Sequence, residues 1–245
     1  MPGIFCTVCM KSRGFLSVVC FGHAGPPIGR MGMATRLRLL GTDGKAMLEQ
    51  THPLSARYPV NEWKAGELVR APVEVFLPAH LPAGEYRWVM QIGRINVDVG
   101  SLHIDMPPRE TQFPPHITRV EQVLDGFVAL IGYQVEVRSE QAISVTLYWR
   151  AQAETTISYK VFVHLIDAQG HPLTQSDAIP ARWTRPTTGW LPPEVIADVH
   201  TLVIPANLAA GEYRLVVGLY DPLSGRRAIT AEGAEQITLG EQTVP

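Results

Sequence analysis

The chain repeats itself, and this limits what it can fold into more than any other feature. Residues 63–87 lie over residues 190–214 at a constant shift of 127, with no gap. Trp63 meets Trp190, Glu67 meets Glu194, Pro78-Ala79 meets Pro205-Ala206 and Leu81 meets Leu208. The run Ala83-Gly84-Glu85-Tyr86-Arg87 meets Ala210-Gly211-Glu212-Tyr213-Arg214. Further back the match weakens: 39–44 lie over 165–170 after a one-residue slip, and Leu16-Ser17-Val18 lies over Ile143-Ser144-Val145. A period this long is a duplicated domain, not a solenoid, because each copy is large enough to bury its own core. The alignment predicts an N-terminally truncated repeat over 1–106, without a counterpart of about 116–127, and a complete repeat over 116–245. Between them, 107–115 is rich in proline at both ends, which predicts a short, stiff linker.

Hydrophobic periodicity gives the class of the repeat. In 142–150, Ile143, Val145, Leu147 and Trp149 alternate with Ser144, Thr146, Tyr148 and Arg150, the period of a half-buried strand. In 159–167 both alternating sets are partly apolar, so a central strand is expected there, with a turn at 168–171. Further strands are expected at 128–137, 196–204, 212–220 and near 236–239. Glycine and proline punctuate the chain throughout, and no amphipathic helix of three turns is visible. The expected fold is all-β: two tandem Ig-like, Greek-key antiparallel β-sandwich domains. The shared pattern Leu-x-x-Gly-x-Tyr at Leu81 to Tyr86 and Leu208 to Tyr213 looks like the tyrosine corner of such sandwiches. It gives Tyr86 and Tyr213 a structural role, with Gly84 and Gly211 permitting the bend.

Composition narrows the partners. Hydrophobic residues make up 46% and charged residues 18%, enough apolar content for packed cores. A net charge of −2 provides no broad basic field for nucleic acid, and the absence of any apolar run near 18 residues argues against membrane insertion of this chain. Cys6, Cys9 and Cys20 all lie near the start, so no disulfide framework is expected. Cys6-x-x-Cys9 has the spacing of half a zinc site but lacks an obvious second pair. The basic-then-apolar stretch 11–22 is a poor signal peptide and reads better as a strand of the first repeat.

The second repeat also resembles a known family. The segments Val145-Thr-Leu-Tyr-Trp-Arg-Ala151, Tyr159-Lys-Val-Phe-Val-His-Leu-Ile-Asp167, Pro186-Thr187 with Trp190, and Gly211-Glu-Tyr-Arg-Leu-Val-Val-Gly-Leu-Tyr-Asp-Pro222 form a series. It is similar to the soluble β-sandwich regions attached to multi-spanning bacterial glycosyltransferases of the mannosyltransferase-like class. The resemblance implies an extracytoplasmic accessory module that contacts a glycan or a membrane glycosyltransferase portion. The family's catalytic carboxylates lie in its membrane portion, so none is carried over to this chain.

Candidate site residues lie in one long loop of the second repeat. Arg182, Trp183, Arg185 and Trp190 fall in the long stretch 180–193, where exposed Trp can stack on sugar rings and Arg can bond hydroxyls or acidic groups. For Trp190 the competing role is in the core, because Trp63 is its partner in the first repeat. His164, Asp167, His171, Asp198 and His200 could hint at a metal, but nothing fixes a third ligand, so no metal is expected. No phosphate-binding loop, nucleophile elbow or cofactor fingerprint occurs, so neither a catalytic residue nor a cofactor is expected. The leading expectation is a non-catalytic carbohydrate-contacting or accessory module. The alternatives are a purely structural or protein-interaction module and, behind it, a glycoside hydrolase using carboxylates such as Glu194 and Asp198.

Overall fold

The computed structural model describes residues 4–11, 15–23, 34–53, 58, 62, 68–106, 108–139 and 141–244, with backbone alone for 4–11, 15–23, 68–72 and 74. The chain divides into two compact units, Met1–Pro107 and Pro108–Pro245. All the long elements are strands. The first unit contains β1 (Ile4–Lys11), β2 (Phe15–His23), β3 (Ala34–Leu40), β4 (Ala46–Pro53), β5 (Leu68–Phe76), β6 (Gly84–Ile92) and β7 (Ile95–Ile104). The second contains β8 (Thr118–Leu124), β9 (Val128–Ser139), β10 (Ala142–Ala151), β11 (Lys160–Ile166), β12 (Pro172–Ala178), β13 (Val195–Val203), β14 (Gly211–Tyr220) and β15 (Ile237–Val244). A 3-10 turn spans Thr187–Gly189. Among the described residues no helix is long and apolar enough to cross a membrane.

In the second unit the antiparallel sheets run β13-β10-β9-β8 and β12-β11-β14-β15. In the first unit they run β1-β2-β5 and β4-β3-β6-β7. Strand for strand, β1 to β7 take the sheet positions of β9 to β15. The irregularities match as well. The β3–β4 ladder slips between Leu39 and Leu40, and the β11–β12 ladder slips between Leu165 and Ile166. The β6–β7 ladder slips between Trp88 and Val89, and β14–β15 between Leu215 and Val216. Opposite each of these last two slips stands a positive-φ glycine, Gly100 or Gly240. Bulges persist within a family because they re-aim a strand, so two of them at matching positions carry the duplication past the part where residue identity fades.

Each unit has its own core. In the second, the inward set of β10 (Ile143, Val145, Leu147, Trp149) meets Val161, Val163 and Leu165 of β11 and Leu215, Val217 and Leu219 of β14. The central position expected for 159–167 is where β11 lies, between β12 and β14. In the first unit, Leu37 and Leu39 of β3 pack with Trp88, Met90 and Ile92 of β6 and with Val75 of β5.

Both tyrosine hydroxyls donate to the carbonyl four residues before them, Tyr86 to Pro82 at 2.7 Å and Tyr213 to Ala209 at 2.8 Å. The two glycines differ. Gly84 has φ +149, a conformation side chains rarely adopt, whereas a Cβ on Gly211 would meet Tyr213 at an ordinary 3.8 Å. Only the first repeat therefore needs its glycine for backbone reasons.

The segment expected to be a stiff linker is, from Arg109 onward, fastened to the second unit. The Val195 N–H donates to the Glu110 carbonyl at 2.7 Å. Phe113 packs against Ala129, Ile131, Tyr148 and Val195, on the side of their sheet away from the main core. The Arg119 guanidinium lies 4.2 Å from the centre of its ring. The flanking prolines prevent the segment from joining a sheet but leave it free to lie across one.

Candidate functional site

The site is built from a turn and a sheet face in the second unit. After β12 the chain makes a left-handed turn in which Ala181, Arg182 and Trp183 have φ of 51, 53 and 72. Three consecutive side-chain-bearing residues in this region cost about 3 kcal/mol in sum. Hydrogen bonds hold them there. Trp183 N donates to the Ile179 carbonyl (3.0 Å), Arg185 N to Pro180 (3.2 Å) and Thr184 N to Ala181 (3.2 Å). The Thr184 hydroxyl also donates to the Ala181 carbonyl at 2.6 Å.

Two buried carboxylates fasten this turn from below. Asp198 accepts the Ala181 N–H through Oδ1 at 2.7 Å and His200 Nε2 through Oδ2 at 2.9 Å. His200 Nδ1 is 3.0 Å from the Ser176 hydroxyl. A carboxylate only accepts, so Nε2 carries the ring proton here, and in the neutral ring Ser176 donates to Nδ1. Both residues occupy the inward set of β13, an edge strand, and the first repeat has Ala71 and Val73 at these places. Glu194, also buried, accepts Arg109 Nη1 at 2.5 Å and Arg185 Nη2, as well as the Leu191 N–H at 3.3 Å.

The chain Ser176–His200–Asp198 has the connectivity of a hydrolytic triad but not its access. Each of the His200 and Asp198 side chains is 1% exposed, so the imidazole cannot reach a leaving group in solvent. Its geometry suits it to closing the sandwich edge: inward polar groups on an edge strand also discourage pairing with a foreign strand.

The candidate residues separate clearly. Trp183 is 52% exposed and Trp190 only 1%. Trp190 belongs to the core, where its indole N–H donates to the Arg185 carbonyl at 2.9 Å, so it offers no face to a ligand. Arg185 is held by Glu194, whereas Arg182 is exposed. Trp63 and Glu67, the counterparts of Trp190 and Glu194, and much of the first repeat's corresponding stretch lie outside the described residues. Cys6 and Cys9 lie on β1, and Cys20 on β2 stands opposite Cys6. Among the described residues no group of three His, Cys, Asp or Glu side chains is placed to hold a metal ion.

Beside Trp183 lies the outer face of the β12-β11-β14-β15 sheet. Lys160, Phe162 and His164 alternate outward along β11, with Tyr220 opposite Lys160 and Asp177 opposite Phe162. Lys160 Nζ lies 5.3 Å from the Trp183 ring centre. His164 Nε2 donates to Asp177 Oδ1 at 2.9 Å, and the Tyr220 hydroxyl donates to Oδ2 at 3.3 Å. Burial, and after it the charge of Asp177, pushes the Tyr220 phenol above its ordinary value. Phe162 forms the floor, because Gly218 lets its ring lie close: a Cβ there would come within 2.5 Å of it. The Arg227 guanidinium covers the ring at 4.6 Å. Trp183 was singled out from the sequence; Lys160, Asp177, Tyr220 and Arg227, which the structure places beside it or along the same face, were not. Their signal was the outward register of β11, β12 and β14, which becomes visible only once the strands are paired.

No protein-family model matches the chain, and no curated protein matches it.

Proposed function

We propose that this chain is a non-catalytic carbohydrate-contacting module that uses the outer sheet face of its second unit, with Trp183 as the stacking platform. The observation that carries this reading is a half-exposed tryptophan held on three consecutive left-handed residues, beside a face of aromatic and hydrogen-bonding side chains. Backbone strain of this kind persists where the surroundings enforce it, and such places cluster at binding sites. An indole provides the flat apolar surface that sugar rings stack on, and Asp177, His164 and Tyr220 supply the directional bonds that single out hydroxyls.

The immunoglobulin-like type of sandwich is part of the same proposal. It is supported by strand order: β13 returns from the opposite sheet to lie beside β10, and β14 lies beside β11. The resemblance to glycosyltransferase-attached sandwiches favours an extracytoplasmic setting and a membrane glycosyltransferase as partner. A glycan array with the wild-type chain and Trp183→Ala tests the reading. Binding to one class of glycan that disappears in the variant is expected; signals equal in the two proteins would refute the role of Trp183.

A further inference from the structure

We infer that the ligand of this face is an acidic polysaccharide, one carrying carboxylate or sulfate groups. The inference rests on the carbohydrate-contacting reading and extends it to a ligand class. Its basis is which of the nearby charges are already used. Arg109 and Arg185 are bound to Glu194, and Arg226 to Asp125. In contrast, among the described residues Lys160, Arg182 and Arg227 form no ion pair. Lys160 lies against Trp183, and Arg227 lies over Phe162, two residues along β11 on the same face. Two of these cations thus lie beside aromatic rings of this face, and Arg182 is exposed next to Trp183 in the chain.

The acidic groups nearby keep their charge, but among the described residues none forms an ion pair with these three cations. Asp177 already binds His164 through one oxygen and Tyr220 through the other. The backbone carbonyl of Glu235 lies near Gly218, yet its carboxylate makes no ion pair with Arg227 among the described residues. Asp221 accepts the Ser224 hydroxyl at 2.6 Å and the Leu223 N–H at 2.9 Å within its own turn. Cations without an ion-pair partner beside aromatic rings are chemistry suited to an acidic sugar. A neutral glycan would leave these charges unused.

Affinity electrophoresis and calorimetry of the full chain on polygalacturonate, dextran sulfate, dextran and mannan, at low and high salt, test this. The expected result is binding to one or both acidic polymers, weakened by salt, and absent or much weaker on dextran and mannan. The two acidic arms distinguish carboxylate from sulfate as the recognised group. Lys160→Gln and Arg227→Gln should each lower affinity about three- to tenfold, and Lys160→Glu more, with thermal unfolding used to confirm that each variant is folded. Equal binding to neutral polymers, or acidic binding unchanged in the folded Lys160 and Arg227 variants, overturns the inference while leaving the carbohydrate reading in place. No binding to any polymer overturns both.

Discussion

Glu194 balances two arginines. Its carboxylate is almost fully buried, and the Arg109 and Arg185 side chains are 22% and 23% exposed. Removing its charge leaves two cations facing each other with little water. Glu194→Gln is therefore expected to cost about 3 kcal/mol in urea unfolding, more than the loss of either arginine. Tyr86→Phe deletes one buried neutral hydrogen bond and should cost about 1 kcal/mol. Tyr213→Phe, at a more exposed corner, should cost less. Two turn aspartates make stability depend on pH. The Asp167 carboxyl is held below its ordinary range, first by the His171 N–H, and the Asp221 carboxyl first by the Ser224 hydroxyl. A carboxyl with a depressed folded-state value stabilises above the unfolded value and loses that contribution as pH falls through the folded one. Stability should therefore decline below about pH 4, and Asp167→Asn and Asp221→Asn should flatten the decline. Residue types in sequence could not reveal these partnerships. Arg185 was a natural candidate for a ligand because nothing in its neighbourhood showed that Glu194, nine positions on, would claim it.

The left-handed turn and the edge strand β13 act together. Asp198→Ala would leave the Ala181 N–H and the His200 ring without their acceptor inside the protein. About 3 kcal/mol of destabilisation is expected, with weakened glycan binding even where the chain remains folded. Arg182→Gly should do the opposite to stability, since glycine accepts φ of 53 without penalty: a gain near 1 kcal/mol, with weaker binding because a cation is lost. Strands were the legible part of the sequence. Alternation placed β10 and β11 and separated the inward residues of β10, because one face of that strand meets the core. The expected strands at 128–137, 196–204 and 212–220 lie within a few residues of β9, β13 and β14. The strained turn was not legible, because Ala, Arg and Trp are not left-handed residues by preference and are held there by contacts distant in sequence. The proline-flanked 107–115 shows the same dependence on distant contacts. Its prolines predict where pairing stops, whereas the contacts of Phe113 and Arg109 decide where the segment lies.

At the scale of the molecule, duplication explains most of what the chain shares and leaves function to what it does not. The two units have the same sheet order from β1 to β7 and from β9 to β15, the same two bulges and the same Tyr bond. The buried His200–Asp198 pair occurs where the first repeat has Val73 and Ala71, at the base of the Trp183 turn. Because the second unit has a core of its own, a chain of residues 108–245 is expected to unfold in one cooperative transition, followed by calorimetry. The most direct test of the account is an NMR titration of the isotope-labelled protein with an oligosaccharide cut from whichever polymer binds. The account predicts shifts concentrated at the Trp183 indole N–H and at the amides of Lys160, Phe162, Asp177 and Tyr220, with the Trp88, Trp149 and Trp190 indoles unmoved. Shifts centred on the first unit, or a Trp183 indole that stays still while binding saturates, would contradict it.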